Sequence, residues 1–339
     1  MVTLKDIAAE AGVSITTVSN VVHNRKSRVS PEMVEKIREI IAREHYVPSM
    51  TARSLVNDDS SIIGVITHMT PQNMGSTMSD PFLGSFVEGI ESRTREEGYF
   101  VMIRSVEDAR ALESLNRSWR LSGMILTGLF QDEFFECVKR LGVPYVLIDS
   151  YVDQEDGYSV GLEDEKGGYI ATKYLLDKGH RCIAFASPSI RDGGVVQQRL
   201  LGYKRALAEY GVAYDPALIF TQEISVEDGR RLGHTLAERK EITGVFASAD
   251  ILAAGIMTGL REKGVLVPRD KSIVGFDDNY LCQLTNPCLT TIHQDAEQKG
   301  VLATDMILAQ LRNEPLEERN VILPVGLVER ESVREIVDS

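Results

Sequence analysis

From residue 61 onward, short apolar runs alternate with longer amphipathic stretches, and this alternation restricts the fold more than any other feature of the chain. The runs are Ile62–Ile66, Phe100–Ile103, Met124–Leu126, Tyr145–Ile148, Ile183–Phe185, Val245–Ala247 and Ile273–Gly275. Between them lie helical segments such as FLGSFVEGIESRTREEG and KGGYIATKYLLDKG. Near-continuous apolar strands separated by helices read as parallel sheet covered on both faces. Roughly ten such runs exceed one sheet of usual size, so two α/β lobes are the natural division. Ligands of such sheets bind beyond the carboxyl ends of the strands, here between the lobes.

The first sixty residues follow a different rule. Thr3 caps a helix, with Asp6 three positions on, and Ile7, Ala8 and Ala11 share one face. Gly12 ends that helix and Ser14 caps the next, whose inner face holds Val18, Val21 and Val22. A small residue at Ala8 and a glycine four later let two helices meet across a sharp turn, which is a helix-turn-helix arrangement. Ser30-Pro31 opens a third helix through Val34, Ile37, Ile40 and Ile41 to about Glu44. The outer face of the second helix offers Ile15, Thr16, Thr17, Ser19 and Asn20, short groups suited to base edges and phosphates. The helix N-terminus itself favours phosphate. With the two cap residues Thr3 and Ser14, these form the candidate DNA-contact set. A generic three-helix bundle is the competing reading.

Charge divides the same way. The chain carries a formal net charge of −13, yet its first 57 residues hold eight Lys/Arg against six Asp/Glu. A slightly basic head therefore precedes a strongly acidic body. The four cysteines are scattered, with no CxxC pair and no zinc-ligand spacing, so no metal is expected. There is no Gly-x-Gly-x-x-Gly after a strand, no phosphate-binding Walker loop, no nucleophile elbow and no His-Glu-x-x-His. Catalysis and a cofactor are accordingly not expected. His180 sits at a helix-to-strand turn, where a structural role outweighs a catalytic one. No apolar stretch approaches the ~18 residues of a membrane span and no leader pattern opens the chain, which points to the cytoplasm.

VTLKDIAAEAGVSITTVSNVVHN, followed by VSPEMVEKIREIIAREHYVPSMTARSL, closely resembles the N-terminus of the lactose-repressor/purine-repressor family of bacterial transcription regulators. The resemblance continues through DPFLGSFVEGIE, KGHRCIAFASP, RLLGYKRAL, VFASADILAAGIM, VPRDKSIVGFDD, LTTIHQ and LVERES, nearly the whole chain. It implies a helix-turn-helix head joined to a two-lobed type I periplasmic-binding-protein-like core. The implied division is 1–47 for the head, 48–60 for a hinge helix, 61–161 plus 294–322 for lobe one, and 162–293 plus 323–339 for lobe two. By the same resemblance Ile15, Thr16 and Asn20 read bases, and Asn20 favours adenine where many relatives carry Arg or His. Leu55 wedges into the minor groove from the hinge, with Arg53 in reach of phosphate. Val56 stands where many relatives carry Lys.

The resemblance also places an effector between the lobes. Asp277, after the strand IVGF, offers a carboxylate to two hydroxyl or amide donors. Arg199 matches an effector-contacting arginine, and Phe82 a cleft position that is often aromatic. Arg191 lies in the loop SPSIRDGGVVQQR, longer than in the purine branch. Asp149 and Tyr151 follow the strand YVLI and can line the rim. Asp250 either caps its helix or meets ligand. VGLEDEKGG lacks the Asp-Asn pair of many relatives, Ala249 and Ala296 replace an asparagine and an aromatic, and HMTPQNMGSTMSDP is longer than usual. No leucine heptad follows LVERES, so a homodimer is expected. The expected function is a repressor that binds a near-palindromic operator under control of a sugar-like molecule. A solute-binding transport protein and an α/β enzyme are the alternatives.

Overall fold

The computed structural model describes residues 2–22, 29–46, 60–68, 80–152 and 157–336. The hinge candidates Arg53 and Leu55, with Val56, and most of the segment HMTPQNMGSTMSDP lie outside them. Residues 1–60 and 61–339 form two compact units.

The first unit contains α1 (Leu4–Ala11), α2 (Ile15–Val22) and α3 (Pro31–Arg43). Local chemistry sets each boundary. Thr3 and Asp6 make a reciprocal capping box, and Gly12 takes the left-handed conformation at φ 73°. The Ser14 hydroxyl accepts from the Thr17 N–H at 3.1 Å, and the Ser30 hydroxyl from the Met33 N–H at 3.4 Å. Ile7, Ala8, Ala11, Val18, Val21, Val34, Ile37 and Ile40 form one small core. Lys36 crosses from α3 to donate to the Ala11 carbonyl at 3.1 Å, next to the tight turn.

The second unit holds two six-stranded sheets. The first is built from β1 (Ile62–His68), β2 (Phe100–Val106), β3 (Gly123–Thr127), β4 (Tyr145–Ile148), β5 (Ser159–Leu162) and β11 (Asn320–Leu323), in the order β11-β5-β4-β3-β1-β2. The second contains β6 (Ile183–Ser187), β7 (Ile219–Thr221), β8 (Gly244–Ala247), β9 (Ser272–Asp277), β10 (Thr290–His293) and β12 (Gly326–Val328), in the order β12-β10-β9-β8-β6-β7. All ladders are parallel except β10 with β12. The chain passes between the sheets three times: after β5, after β10 and after β11.

Helices α4 (Pro81–Glu96), α5 (Ala109–Trp119) and α6 (Glu133–Arg140) follow strands of the first sheet, and α12 (Ala296–Arg312) returns to pack on α4. Helices α7 (Asp164–Asp177), α8 (Val195–Glu209), α9 (Val226–Glu238), α10 (Asp250–Glu262) and the short α11 (Leu281–Leu284) belong with the second sheet. Each sheet has apolar packing on both faces. The strands therefore read as continuous apolar runs rather than alternating ones.

Glycines set the closest helix approach. A Cβ on Gly202 of α8 would overlap the Glu165 carbonyl oxygen of α7, and one on Gly168 would overlap the Arg199 carbonyl oxygen. The two backbones touch, and this holds residues 164 and 199 within side-chain reach of each other. Gly202→Ala is expected to lower stability by ~1–3 kcal/mol, the usual cost of overpacking. Urea denaturation would check this, and an unchanged midpoint would contradict the close packing.

Candidate functional site

The parallel strands deliver their carboxyl ends, and the residues just after them, toward the region where the chain crosses between sheets. Asp149 follows β4, Ser248 follows β8, and Asp277 ends β9. Asp149 and Asp277 carry positive φ, 49° and 121°, as does Asp278 at 60°. Strained backbone of this kind is retained where the surrounding structure over-determines it, and it clusters at ligand clamps.

Two hydrogen-bonded chains link these ends. In the first, the fully buried Lys299 of α12 donates to both carboxylate oxygens of Asp149 at 2.8 Å and to Gln294 Oε1 at 2.9 Å. The Gln294 amide then donates to Asp277 Oδ1 at 2.6 Å. The ammonium also lies 5.3 Å from the centre of the Phe82 ring, which stacks on Phe86. In the second, Tyr151 donates its hydroxyl to Asp164 Oδ2 at 2.9 Å, and Arg199 Nε donates to Asp164 Oδ1 at 2.8 Å. Arg199 Nη1 donates to the Ser248 carbonyl at 2.7 Å, and the guanidinium lies 3.5 Å from the centre of the Phe276 ring. Arg199 and Asp164 are buried together, 8 % and 1 % exposed.

Burial is the main electrostatic force here. It pushes the Asp277 carboxyl well above its ordinary range, helped by the charges of Asp250 and Asp80 and opposed by Arg199. Burial raises Asp164 as well, with Arg199 opposing it most. Asp80, the cap of α4, is raised by burial while its Oδ1 accepts from the Phe82 N–H at 3.1 Å. Asp250 is pushed up to about 6 by burial.

The candidates named from the sequence thus divide into three groups. Phe82, Asp149, Arg199 and Asp277 come together, with Tyr151 tied to them through Asp164. Arg191 lies apart on the rim, its guanidinium 3.7 Å from the centre of the Phe130 ring beyond β3. Asp250 does not cap its helix: Ala249 occupies the cap position, and Asp250 is the first helical residue. Its oxygens accept instead from the Thr291 hydroxyl at 2.5 Å and the Asn279 N–H at 3.0 Å, bracing the ends of β9 and β10. Ala249 and Ala296 are both buried. In the first unit Thr3, Ser14, Ile15 and Thr16 are exposed, while Thr17, Ser19 and Asn20 are half-buried. The exposed side of α2 carries an apolar residue, Ile15, at 49 % exposure, with no core to serve.

Sequence reasoning missed Asp80, Asp164, Gln294 and Lys299. Lys299 had a legible signal, because it stands on the same helical face as Ala296, Ala303, Met306 and Ile307, all buried. A lysine within an apolar stripe requires a buried partner.

His180 is structural. Its ring nitrogens meet Thr243 Oγ1 at 2.9 Å and the Arg334 carbonyl at 3.2 Å, and burial lowers its pKa from 6.5 to about 4. The unfolded chain binds the proton first, so stability present above pH 6.5 is lost as pH falls toward 4. A His180→Asn variant should show a flatter stability profile across that window in pH-dependent urea melts, and an unaltered slope would contradict the assignment. Lys299→Met should cost ~3–5 kcal/mol, since it leaves the Asp149 carboxylate without its cation. Adding Asp149→Asn should recover part of that loss in a double-mutant cycle. Strict additivity would show the pair to be uncoupled.

Comparison with known proteins agrees with both units. Residues 3–49 match the family model for bacterial regulatory proteins of the lacI family, and residues 172–333 match a periplasmic binding protein-like domain. The ribose operon repressor of Haemophilus influenzae is 31% identical over 98% of this chain and 99% of its own length. The transcriptional repressor PurR of Vibrio atlanticus is 30% identical over 98% of this chain and 99% of its own. A structure of the lac repressor dimer bound to operator and the anti-inducer ONPF superposes with a TM-score of 0.81. That structure is 28% identical, covering 98% of this chain and 99% of the other. The chain belongs to the lacI family of bacterial regulatory proteins.

Proposed function

We propose that this chain is a transcription repressor that binds a near-palindromic operator as a homodimer and is controlled by a small, sugar-like effector held between its two lobes. The observation that carries this reading is the exposed face of α2. A helix capped at Ser14 and braced by an apolar core presents Ile15 and Thr16 exposed, with Thr17, Ser19 and Asn20 half-buried beside them. Such a helix suits the major groove, with its first turn aimed at phosphate and base edges. Thr3 stands at the start of α1, its hydroxyl held by Asp6 in the capping box, and the helix N-terminus there suits the backbone. The relatives named as repressors, and the lac repressor captured on operator as a dimer, support the reading.

The reading divides the chain into a head (1–47), a hinge (48–60) that brings Arg53 and Leu55 to the minor groove, and two lobes. The lobes are 61–161 with 294–322, and 162–293 with 323–339. Phe82, Asp149, Arg199 and Asp277 serve the effector, with Arg191 at the rim and Asp250 as a brace behind Asp277. Effector binding changes how the lobes meet and, through the hinge, the fit of the paired heads to DNA. By linkage, operator must change effector affinity by the same factor. The protein acts in the cytoplasm, and its body binds without turnover. Among the described residues no helix is long and apolar enough to cross a membrane.

An operator selected from random DNA should be bound by the full chain at physiological salt. Asn20→Ala should weaken that binding by ~1–3 kcal/mol, mostly at the base pair Asn20 reads. Fluorescence anisotropy with matched and mutated operators gives both numbers. Absence of sequence-selective binding by the intact chain overturns the proposal, and a mass other than a dimer's in light scattering overturns the symmetry.

A further inference from the structure

Helix α2 carries no charge: its sequence, ITTVSNVV, holds no Asp, Glu, Lys or Arg. Val18 and Val21 turn into the core of the head. Two cations of α3 are engaged within the head, Lys36 on the Ala11 carbonyl and Arg43 with Glu10 and Glu44. Guanine in the major groove is most often held by an arginine or lysine on its O6 and N7, and α2 has neither. Readout by this helix therefore works through short hydroxyls, one amide and apolar carbon.

The hydroxyls are partly spent. The Ser14 hydroxyl accepts from the Thr17 N–H at 3.1 Å and lies 2.9 Å from Thr17 Oγ1, so the two groups hold each other at the helix start. Ile15, between them in sequence, is 49 % exposed. Among the described residues of the first unit it is the one large apolar side chain left so open. A single exposed isoleucine is ordinary on a protein surface. This one stands in the first turn of α2, next to exposed Thr16, where a recognition helix meets base edges. An isoleucine neither donates nor accepts a hydrogen bond, so it cannot sense the polar edge of any base. The major groove offers it one apolar group, the C5 methyl of thymine. Contact between the two removes both apolar surfaces from water.

We infer that Ile15 makes α2 a reader of C5 methyl groups. Each operator half-site carries a thymine whose methyl packs on Ile15, and the methyl rather than the pairing edge is recognised. A 5-methylcytosine presents the same methyl at the same place on the groove wall. Methylation of a cytosine at that position therefore strengthens binding, and the chain responds to the methylation state of the DNA there. This inference rests on the proposed function for the placement of α2 in the groove, and it adds what the helix reads.

The test is fluorescence anisotropy of the full chain on its selected operator, with the same substitution made in both half-sites. Replacing each thymine in turn by deoxyuridine removes one methyl and leaves the pairing edge intact. One position should lose about fourfold per half-site, the scale of one buried methyl, and about fifteenfold across the two. Thymine, deoxyuridine, cytosine and 5-methylcytosine are then compared at that position. Methyl reading makes thymine exceed deoxyuridine, and 5-methylcytosine exceed cytosine, by the same factor. Equal binding within each of those pairs means that only the polar edge or the shape is read, and it overturns the inference. Ile15→Ala should erase the gap between thymine and deoxyuridine, while Ile15→Val keeps part of it. Since Ile15 serves no core, both variants should keep the wild-type melting curve. A gap that survives Ile15→Ala gives the methyl to another residue and also overturns the inference. Sequence-selective binding with no deoxyuridine effect sinks the inference alone; absence of selective binding sinks it together with the proposed function.

Discussion

The body of this protein depends on one buried lysine. Lys299 is fully enclosed, and the interior tolerates its charge because Asp149 and Gln294 accept hydrogen bonds from all three of its N–H groups. That arrangement fixes much else. It ties α12 to the strand end carrying Asp149 and sets the orientation of the Gln294 amide. That amide spans from the segment after β10 to the end of β9 and holds Asp277. A hydrophobic residue at 299 could fill the same volume, but Asp149 would lose its cation and Gln294 its anchor. The lysine is therefore a positional device as much as a contributor to stability.

The same logic explains why the helices pack as they do. Arg199 reaches Asp164 only because α7 and α8 approach to backbone contact at Gly168 and Gly202. Side chains at those two positions would push the helices apart and pull the guanidinium off Phe276 and away from the Ser248 carbonyl. A packing constraint in the core thus fixes a charged group at the cleft, linking a sequence of small residues to the geometry of the site.

How much of this was legible in the sequence depended on the range of the determining interaction. The head was readable because its signals are local: the Thr3–Asp6 box, Gly12 after α1, and Ser30-Pro31 before α3 each act within four residues. The central strands were readable because burial on both faces leaves a continuous apolar run. Five strands were not read as runs, since SVGL, IFT, TTIH, NVIL and GLV are short and mixed. Asp149, Arg199 and Asp277 could be placed from strand ends and family resemblance. Asp164 and Gln294 could not, because their partners, Arg199 and Lys299 or Asp277, are fixed by tertiary contact and by crossings between sheets. Asp250 shows the same limit: its position before a helix suggested a cap, while its oxygens are taken by Thr291 and Asn279, both distant in sequence.

Among the described residues, three side-chain contacts link the ends of the two sheets, and their strength bounds what an effector must supply. Arg191 on Phe130 is a cation–π contact worth about 0.5–2 kcal/mol. Tyr151 to Asp164 and Gln294 to Asp277 are hydrogen bonds to carboxylates, worth about 1.5–3 kcal/mol each. Moving a two-state protein from one dominant arrangement to the other takes a differential affinity of about 5.5 kcal/mol. The two hydrogen bonds to carboxylate together amount to about 3–6 kcal/mol, which meets that requirement only at its upper end. The three crossings of the chain, together with these side chains, join the two lobes. A small molecule that exchanges both hydrogen bonds to carboxylate therefore shifts the balance between arrangements by a large part of what a full switch takes.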